Sequence, residues 1–109
     1  MNTDRVDCVR LSFDPQCGHE QTGRRPAFVL SSKIYNKKAG LALCCPITNQ
    51  IKGYPFEVVI SGTEAVSGAV LTDQIKSLDW QARRAVYICK LSEKVIRDIV
   101  NKVQLLISL

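Results

Sequence analysis

Two adjacent arginines followed by a proline are the residues of this sequence best suited to chemistry. Gly23-Arg24-Arg25-Pro26 places both guanidinium groups at the start of an apolar run, and the ring of Pro26 limits the backbone positions open to Arg25. A guanidinium group offers a rigid fork of five donors that matches phosphoryl oxygens. Thr48 ends another apolar run, and Lys52 follows it. Taken singly, each of these residues is ordinary in a loop, so only their combination indicates phosphate chemistry.

Histidine-based catalysis is disfavoured, because His19 is the only histidine of the chain. A nucleophile–histidine pair needs that histidine beside a serine or cysteine, with an acid to orient it. His19 instead lies beside Glu20 in a segment rich in Gly and Gln, which favours a solvated loop residue. A ribonuclease mechanism with two histidines is excluded by the count. The five cysteines show no C-x-x-C spacing, so we expect free thiols and no structural zinc site.

Positive charge is concentrated in one part of the chain. Lys and Arg total 15 against 10 Asp and Glu, which gives a net charge of +5. Residues 21–56 contain no acid and six cations, namely Arg24, Arg25, Lys33, Lys37, Lys38 and Lys52. If folding gathers these cations, they form one electropositive face for an anionic partner. If folding separates them, they are solvated loop and helix residues, and the sequence leaves both readings open.

Short strands must position most of these side chains. Compact apolar runs punctuated by Gly, Pro and Asn predict a small antiparallel sheet or barrel. The runs span residues 6–13, 26–32, 41–47, 56–60, 69–75 and 85–89. The adjacent Cys44 and Cys45 are expected to face opposite sides of their strand.

Two segments break the strand pattern. Residues 33–38 predict a turn of helix that stops at Gly40. Towards the end of the chain, Ser92 is a predicted N-cap, and apolar residues recur at helical spacing over residues 95–107. This pattern predicts a helix that packs on the sheet and carries no chemistry. Leu105 falls off its main apolar stripe, which predicts a second buried contact.

Length and composition favour one globular domain over residues 1–109. Apolar residues make up 46% and charged residues 23% of the chain, which is typical of folded proteins. No apolar run approaches the roughly 20 residues that span a bilayer, and the first residues lack the apolar core of a signal peptide. We therefore expect a cytoplasmic protein without a membrane segment.

Five ordered motifs make the chain resemble the MazF/PemK (Kid) family of toxin endoribonucleases almost from end to end. The motifs are Phe13-Asp14-Pro15 with residues 18–27, Tyr35-Asn36, Pro46-Ile47-Thr48, Lys52-Gly53-Tyr54-Pro55-Phe56-Glu57-Val58, and Ser67-Gly68 with residues 73–80. No single motif is decisive, whereas their common order and spacing are highly specific.

The resemblance implies a mainly β fold with a C-terminal helix, arranged as a small SH3-like β-barrel that acts as a homodimer. It implies the toxin of a type II toxin–antitoxin system, which cuts single-stranded RNA at short sequence motifs without a metal or other cofactor. The products would be a 2′,3′-cyclic phosphate and a 5′-OH, and a cognate antitoxin would cover the RNA groove with an acidic flexible tail. A non-catalytic nucleic-acid-binding module on the same barrel is the alternative, because a fold does not fix a function.

The resemblance also assigns catalytic roles to individual residues. Arg25, which precedes proline, and Thr48, which follows Pro-x, match catalytic residues of the family. Glu20 matches the acidic residue of the first loop. It is a better general base than Arg25, because arginine stays protonated in proteins.

The residues that the resemblance places at the RNA are more widely spread. Asn36 and Lys52 match positions that hold RNA in the family, and Gln74 and Lys76 lie near the same groove. The chain departs from the family pattern at Arg10 and Arg24. These two arginines are expected to enlarge the basic surface, and they leave the cleavage motif open.

Overall fold

The computed structural model describes residues 7–13 and 23–108, which form seven strands and two helices. The strands are β1 (Cys8–Ser12), β2 (Arg24–Val29), β3 (Ala42–Thr48), β4 (Glu57–Val59), β5 (Ala69–Leu71), β6 (Lys76–Leu78) and β7 (Val86–Cys89). The helices are α1 (Lys33–Ala39) and α2 (Glu93–Ile107). The predicted mainly β fold with a C-terminal helix is confirmed. Strand β6 was not predicted, because its sequence Lys-Ser-Leu lacks an apolar run and its pairing partner is remote in sequence.

All strand pairs are antiparallel, and β3 is the central strand of the sheet. The order of the strands is β4-β5-β3-β2-β1-β7, and β6 also pairs with β3. Residues 42–44 of β3 pair with β6, while residues 47–48 pair with β5. One strand thus joins two parts of the sheet that diverge, as strands do when a small sheet curls into a barrel.

Alternation along the strands divides the apolar side chains between the two faces of the sheet. The inner cluster, which α2 helps to close, comprises Cys8, Phe28, Cys45, Ile47, Val58, Val66, Val70, Leu91, Val95 and Ile99. The outer cluster comprises Val9, Leu11, Ala27, Val29, Ala42, Cys44 and Leu78, with Phe13, Trp80 and Ala85 packed on it. We call the sheet face that carries this second cluster the outer face.

Three of the four described cysteines, Cys8, Cys44 and Cys45, are buried in the apolar clusters. Cys44 and Cys45 belong to the outer and the inner cluster respectively, as the alternation predicted. Burial raises the pKa of the Cys44 thiol to about 11 and that of the Cys45 thiol to about 12, so both stay protonated near neutral pH. The four described cysteines are free thiols.

Helix α2 begins and ends where its sequence predicted, but one predicted contact near its C-terminal end is not formed. The Ser92 hydroxyl accepts a hydrogen bond from the Val95 N–H at 3.3 Å, and Val95 and Ile99 are buried against the sheet. The second buried contact predicted for Leu105 is wrong, since this side chain is 66% exposed. Leu105 lies at the rim of an open cleft between α2 and β4 rather than against an apolar surface. Within the described ranges, no helix is long and apolar enough to cross a membrane.

Helix α1 connects β2 to β3 and has a defined cap at each end. The Ser32 hydroxyl accepts a hydrogen bond from the Tyr35 N–H at 3.2 Å. Gly40 ends the helix in the left-handed conformation with φ of 71°, as predicted, and its N–H donates to the Asn36 carbonyl. These caps hold a helix of only seven residues in place between two strands.

Candidate active site

The register of β2 and β3 aligns Arg25 and Thr48 on one face of the sheet. The last observed pairs are Phe28 with Cys45 and Ala27 with Pro46, and counting on by two residues aligns Arg25 with Thr48 just beyond the end of the ladder. Both residues therefore lie on the outer face with Ala27 and Pro46. Arg25 is exposed and Thr48 is half-buried, so both side chains can reach a ligand on the outer face.

Arg25 lies inside a strand rather than just before its start, where the sequence had placed it. The expected strand began at Pro26, whereas β2 begins at Arg24 and pairs Leu11 with Arg25. Strand β1 is long enough to pair with both Arg24 and Arg25. The apolar pattern of β2 alone does not predict this pairing, because neither arginine belongs to the apolar run. Because successive strand residues point to opposite faces, Arg25 shares the outer face with Leu11 and Ala27, and Arg24 does not.

Thr48 is held by two local contacts. Its Oγ1 accepts a hydrogen bond from the Gln50 N–H at 3.0 Å, which leaves the hydroxyl hydrogen able to donate to a ligand. Gly68, at the entry to β5, approaches the Thr48 backbone closely. A Cβ atom at Gly68 would lie 2.1 Å from the Thr48 carbonyl oxygen, and the φ of this glycine is +111°. In the sequence, Ser67-Gly68 is only a part of the family motif, because the close approach to Thr48 arises in the fold.

Lys76 approaches the same face from the other side of β3, and Gln74 lies in the turn that precedes it. Lys76 pairs with Cys44 at the start of β6. Cys44 alternates with Pro46 and Thr48 on one face of β3, so the Lys76 side chain lies on the outer face. Lys76 and Gln74 are exposed, and the Gln74 N–H donates to the Leu71 carbonyl in the preceding turn.

Lys52 lies in the loop that leaves β3 immediately after Thr48. The Glu57 carboxylate accepts hydrogen bonds from the N–H groups of Lys52 (3.1 Å) and Gly53 (2.9 Å), which folds this loop back towards β4. The Lys52 ammonium lies 5.9 Å from the centroid of the Tyr54 ring, within the range of a cation–π contact. Both side chains are exposed at the end of β3 that carries Thr48.

Arg24 and Arg10 lie apart from this group. Residue 10 pairs with Pro26 and Ser12 pairs with Arg24, so both arginines point to the face opposite Arg25. The Arg24 guanidinium donates to the carbonyls of Arg84 (2.7 Å) and Arg10 (3.2 Å), and to that of Arg83 at the longer distance of 3.4 Å. Of the six cations in residues 21–56, Arg24 therefore points away from the face that carries Arg25.

Asn36 is a buried link between α1 and its neighbours. Its Oδ1 accepts a hydrogen bond from the Ser31 hydroxyl at 2.5 Å, and the Ser31 oxygen accepts one from the Leu43 N–H. The Asn36 carbonyl accepts a hydrogen bond from Trp80 Nε1 at 2.9 Å. Asn36 therefore lies next to Trp80, a residue to which the sequence analysis gave no role.

Two further expectations concern a base and a metal. Glu20 and His19 lie outside the described residues, so the structure says nothing of their positions. Among the described residues, no group of three or more His, Cys, Asp or Glu side chains could hold a metal ion.

The geometry defines a small, mainly β protein whose arginine, threonine and lysine side chains share one face, and known proteins share its fold. Residues 4–107 match the family model described as PemK-like, MazF-like toxin of type II toxin–antitoxin system. Endoribonuclease toxin MazF of Escherichia coli (strain K12) is 47% identical over 104 residues, which cover 95% of this chain and 93% of the relative. The chain therefore belongs to the PemK-like, MazF-like toxin family.

Solved structures agree with this membership. MazF of Deinococcus radiodurans superposes with a TM-score of 0.84 at 44% identity, covering 100% of this chain and 99% of that one. A MazE–MazF structure from the same organism gives a TM-score of 0.84 at 38% identity, covering 100% and 98% of the two chains. The MazF-like fold expected from the sequence is thereby confirmed.

Proposed function

We propose that this toxin cuts single-stranded RNA on the outer face, at the Arg25–Thr48 pair. Like its curated relatives, the chain is an endoribonuclease of the MazF type. The observation that supports this site is the β2–β3 register, which aligns the exposed Arg25 with the half-buried Thr48 on one face when it is continued past its last pair. Both groups donate hydrogen bonds, and donors are what a phosphodiester needs as negative charge builds up.

The reaction uses a nucleophile that RNA itself supplies. The 2′-oxygen forms a bond to the adjacent phosphorus while the bond from phosphorus to the 5′-oxygen breaks. The 2′-hydroxyl proton passes to a base, and the leaving 5′-oxygen takes up a proton. The products are a 2′,3′-cyclic phosphate and a 5′-OH, so no water is consumed in the cleavage step.

Arg25 and Thr48 have different parts in this step. Arg25 stabilises the doubly charged pentacoordinate phosphorus with a charge-assisted fork, and Thr48 adds one neutral donor. Arg25 is not the base, since a guanidinium keeps its protons in proteins. We assign that role to Glu20, and no metal or cofactor is needed for a reaction in which these groups supply charge and proton transfer.

RNA binding extends from this pair along the outer face. Lys76, Gln74 and Lys52 are exposed close to the ends of β3 and β6, where phosphates or bases of flanking nucleotides would lie. Arg10 and Arg24 lie on the other face and make no direct contact with the scissile phosphate. Instead, Arg24 holds the turn before β7, and this turn packs on the outer cluster.

The partners follow from the family and from the charge of the chain. A crystal structure of MazE–MazF is known for the relative from Deinococcus radiodurans. The acid-free segment 21–56 of this chain supplies cations that would bind the acidic tail of a cognate antitoxin. A homodimer, a single domain over residues 1–109 and a cytoplasmic location complete the proposal. The match over residues 4–107 supports the single domain.

A cleavage assay in EDTA tests the function directly. A labelled single-stranded RNA containing many short sequence motifs should yield discrete fragments that end in a 2′,3′-cyclic phosphate, as mass spectrometry would show. Primer extension on a long unstructured RNA then maps the motif. RNA binding without fragments would instead favour a non-catalytic nucleic-acid-binding module.

A further inference from the structure

The loop between β3 and β4, residues 49–56, presents two exposed side chains beside the proposed RNA site. Lys52 follows Thr48 by four residues, and 61% of Tyr54 is exposed. Residues 50–54 belong to no helix or strand. A loop of this kind positions its side chains only as firmly as its backbone is held. The groups that hold this backbone therefore affect where the Lys52 ammonium stands.

One carboxylate holds the β3–β4 loop at Lys52. Glu57, the first residue of β4, accepts hydrogen bonds at Oε1 from the N–H groups of Lys52 (3.1 Å) and Gly53 (2.9 Å), and its Oε2 lies 3.3 Å from the Lys52 nitrogen. Gly53 has a φ of +76°, in the left-handed region. Successive N–H groups can converge on one anion when the backbone takes such a conformation.

The other end of the loop is fixed by neighbouring elements. The Phe56 carbonyl accepts hydrogen bonds from the N–H (3.1 Å) and the Oγ1 (2.6 Å) of Thr72, a fully buried residue. The ammonium of Lys102 on α2 donates to the Pro55 carbonyl. The N–H of Glu57 donates to the Tyr54 carbonyl at 3.1 Å. Glu57 thus stands on a fixed base and connects it to the part of the loop that carries Lys52.

The charge of Glu57 is unexpected at this place. It is the first acid after the acid-free segment 21–56, and it lies beside a site proposed for a polyanion. By charge alone, a carboxylate here opposes the binding of phosphates. Its hydrogen bonds to two backbone N–H groups give a separate reason for an acid, because a charged acceptor binds such donors more strongly than a neutral one does.

We propose that Glu57 is a positioning residue for RNA binding, whose carboxylate fixes the β3–β4 loop so that Lys52 meets a phosphate of the substrate. This inference rests on the proposed function. Glu57 itself does not touch the RNA and acts through Lys52. A loop that is ordered before binding loses less conformational entropy when the RNA arrives, so the same ammonium contributes more to affinity.

Three variants separate the charge of Glu57 from its reach. The ligand is an RNA with a 2′-deoxy nucleotide at the cut, which cannot be cleaved. Glu57→Ala should raise the Kd about five- to tenfold, the equivalent of one good polar contact. Glu57→Asp keeps the charge but is one methylene shorter, so it should also weaken binding. Glu57→Gln keeps an acceptor oxygen at the same reach and should bind RNA more tightly than either.

An exposed acid elsewhere provides the matched control. Glu64 lies in the segment between β4 and β5 and is exposed. Glu64→Ala should leave RNA affinity unchanged or slightly higher, because it removes a negative charge and no support of the loop. In cleavage assays, Glu57→Ala should raise KM by the same factor as Kd and leave kcat unchanged, since the catalytic groups are untouched.

A double-mutant cycle shows whether Glu57 acts through Lys52. Once Lys52→Ala has removed the ammonium, adding Glu57→Ala should weaken RNA binding no further. Glu57→Ala alone should also lower the slope of log affinity against log salt concentration, by up to the roughly 0.7 expected for one lost phosphate contact. A residue with a merely structural role would weaken binding equally in both backgrounds and leave the slope unchanged.

Amide hydrogen exchange tests the loop without RNA. In the free protein, Glu57→Ala should speed exchange at the N–H groups of Lys52 and Gly53 about tenfold or more, because their acceptor is gone. Glu57→Gln should have a smaller effect. The N–H of Thr72 should stay protected in both variants, since the Phe56 carbonyl accepts its hydrogen bond.

Three outcomes would overturn the proposal. The first is a Glu57→Ala protein that binds RNA as tightly as the unmodified protein or more tightly. The second is an equal loss of affinity with and without Lys52. The third is unchanged exchange at Lys52 and Gly53. If Glu57→Ala does not fold, the order of affinities of Glu57→Gln and Glu57→Asp decides. An unmodified protein that binds RNA and does not cut it would contradict the proposed function alone.

Discussion

Two residues at the ends of neighbouring strands carry the proposed chemistry, and they differ in how they are held. Arg25 is exposed, and the ladder between β1 and β2 positions only its backbone. Thr48 is half-buried, and its oxygen is engaged by the Gln50 N–H. Substitutions at Arg25 should therefore affect the reaction with little effect on folding, whereas those at Thr48 also touch a local turn.

Arg25→Ala should lower kcat by about 10²–10³-fold, because it removes the charged donor from the developing phosphorane. The free energy of unfolding should change by less than about 0.5 kcal/mol, as is usual for an exposed side chain. Single-turnover cleavage and urea unfolding measure the two effects. Lys38→Ala, an exposed cation of α1, is the control and should cleave normally. Near-normal cleavage by a folded Arg25→Ala protein would refute the catalytic role of Arg25.

Thr48→Ala should lower kcat by a smaller factor, on the order of 10–10²-fold, because a neutral hydroxyl makes a weaker bond to the phosphorane than a guanidinium does. Affinity for an uncleavable RNA should stay nearly the same. Thr48→Ser keeps the hydroxyl and should retain most activity, which separates loss of the donor from loss of the turn. If Thr48→Ala lost affinity and kept kcat at saturating RNA, Thr48 would be a binding residue.

At the scale of elements, the junction of β3 and β5 determines where Thr48 stands. Ala69 pairs with Thr48, and the preceding Gly68 lies against the Thr48 carbonyl. The N–H of Ile60 also donates to the Gly68 carbonyl at 2.9 Å, which joins the end of β4 to the same point. Three elements therefore meet at one glycine, and a side chain there would push the catalytic strand end away.

Gly68→Ala should both destabilise the protein and impair cleavage. Its φ of +111° is unfavourable for a side chain, and the new Cβ would overlap the Thr48 carbonyl. We expect a loss of about 2 kcal/mol or more in the free energy of unfolding, measured in urea. Gly62→Ala is the matched control, because Gly62 also has a positive φ but its nearest neighbour atom is 3.7 Å away. An equal loss of stability in both variants would show that the contact with Thr48 is unimportant.

The cations that give the whole molecule its net charge of +5 do not all face the proposed RNA site. Arg24 donates to backbone carbonyls, whereas Lys52 and Lys76 remain exposed on the side of the proposed RNA site. Total charge therefore overstates the number of cations that neutralise phosphates. Salt dependence counts those contacts directly, because each neutralised phosphate releases counterions on binding.

Lys52→Ala and Lys76→Ala should each flatten the salt dependence of RNA binding. If each lysine neutralises one phosphate, the slope of log affinity against log salt concentration should fall by about 0.7 per variant. Titrations of an uncleavable RNA between low and physiological salt give this slope. The control is Lys94→Ala, since Lys94 lies on α2 and pairs with Asp98. An unchanged slope would place the substituted lysine outside the RNA site.

Antitoxin and RNA should compete for the same side of the molecule. An acidic tail is attracted to the cations that bind RNA, but ordering a flexible segment opposes binding, so the tail also needs apolar contacts. A tail peptide should therefore displace labelled uncleavable RNA, and high salt alone should not fully release the peptide. Simultaneous binding of both, with no loss of RNA affinity, would show that inhibition acts from another surface.

Much of this protein follows from its sequence by itself. Alternation identified most strands and the opposite orientations of Cys44 and Cys45, and the cap at Ser92 marked the start of α2. These features depend on residues that are only a few positions apart, so they can be predicted from the local pattern of apolar and polar residues. The ordered motifs also identified the family, because their spacing reflects one particular chain path. Strand β6 escaped prediction, since three residues without an apolar run are recognisable only by their partner.

Which residues from distant parts of the sequence come close together depends on the tertiary fold. Arg25 and Thr48 are 23 positions apart, and their approach depends on the register between two strands, in which a shift of one residue would reverse every side chain. The same alternation sends Arg24 away from Arg25, although the two are adjacent in sequence. The close approach of Gly68 to Thr48 likewise arises between distant segments. A sequence specifies residue types and local periods, whereas contacts across strands depend on how the whole sheet pairs and curls.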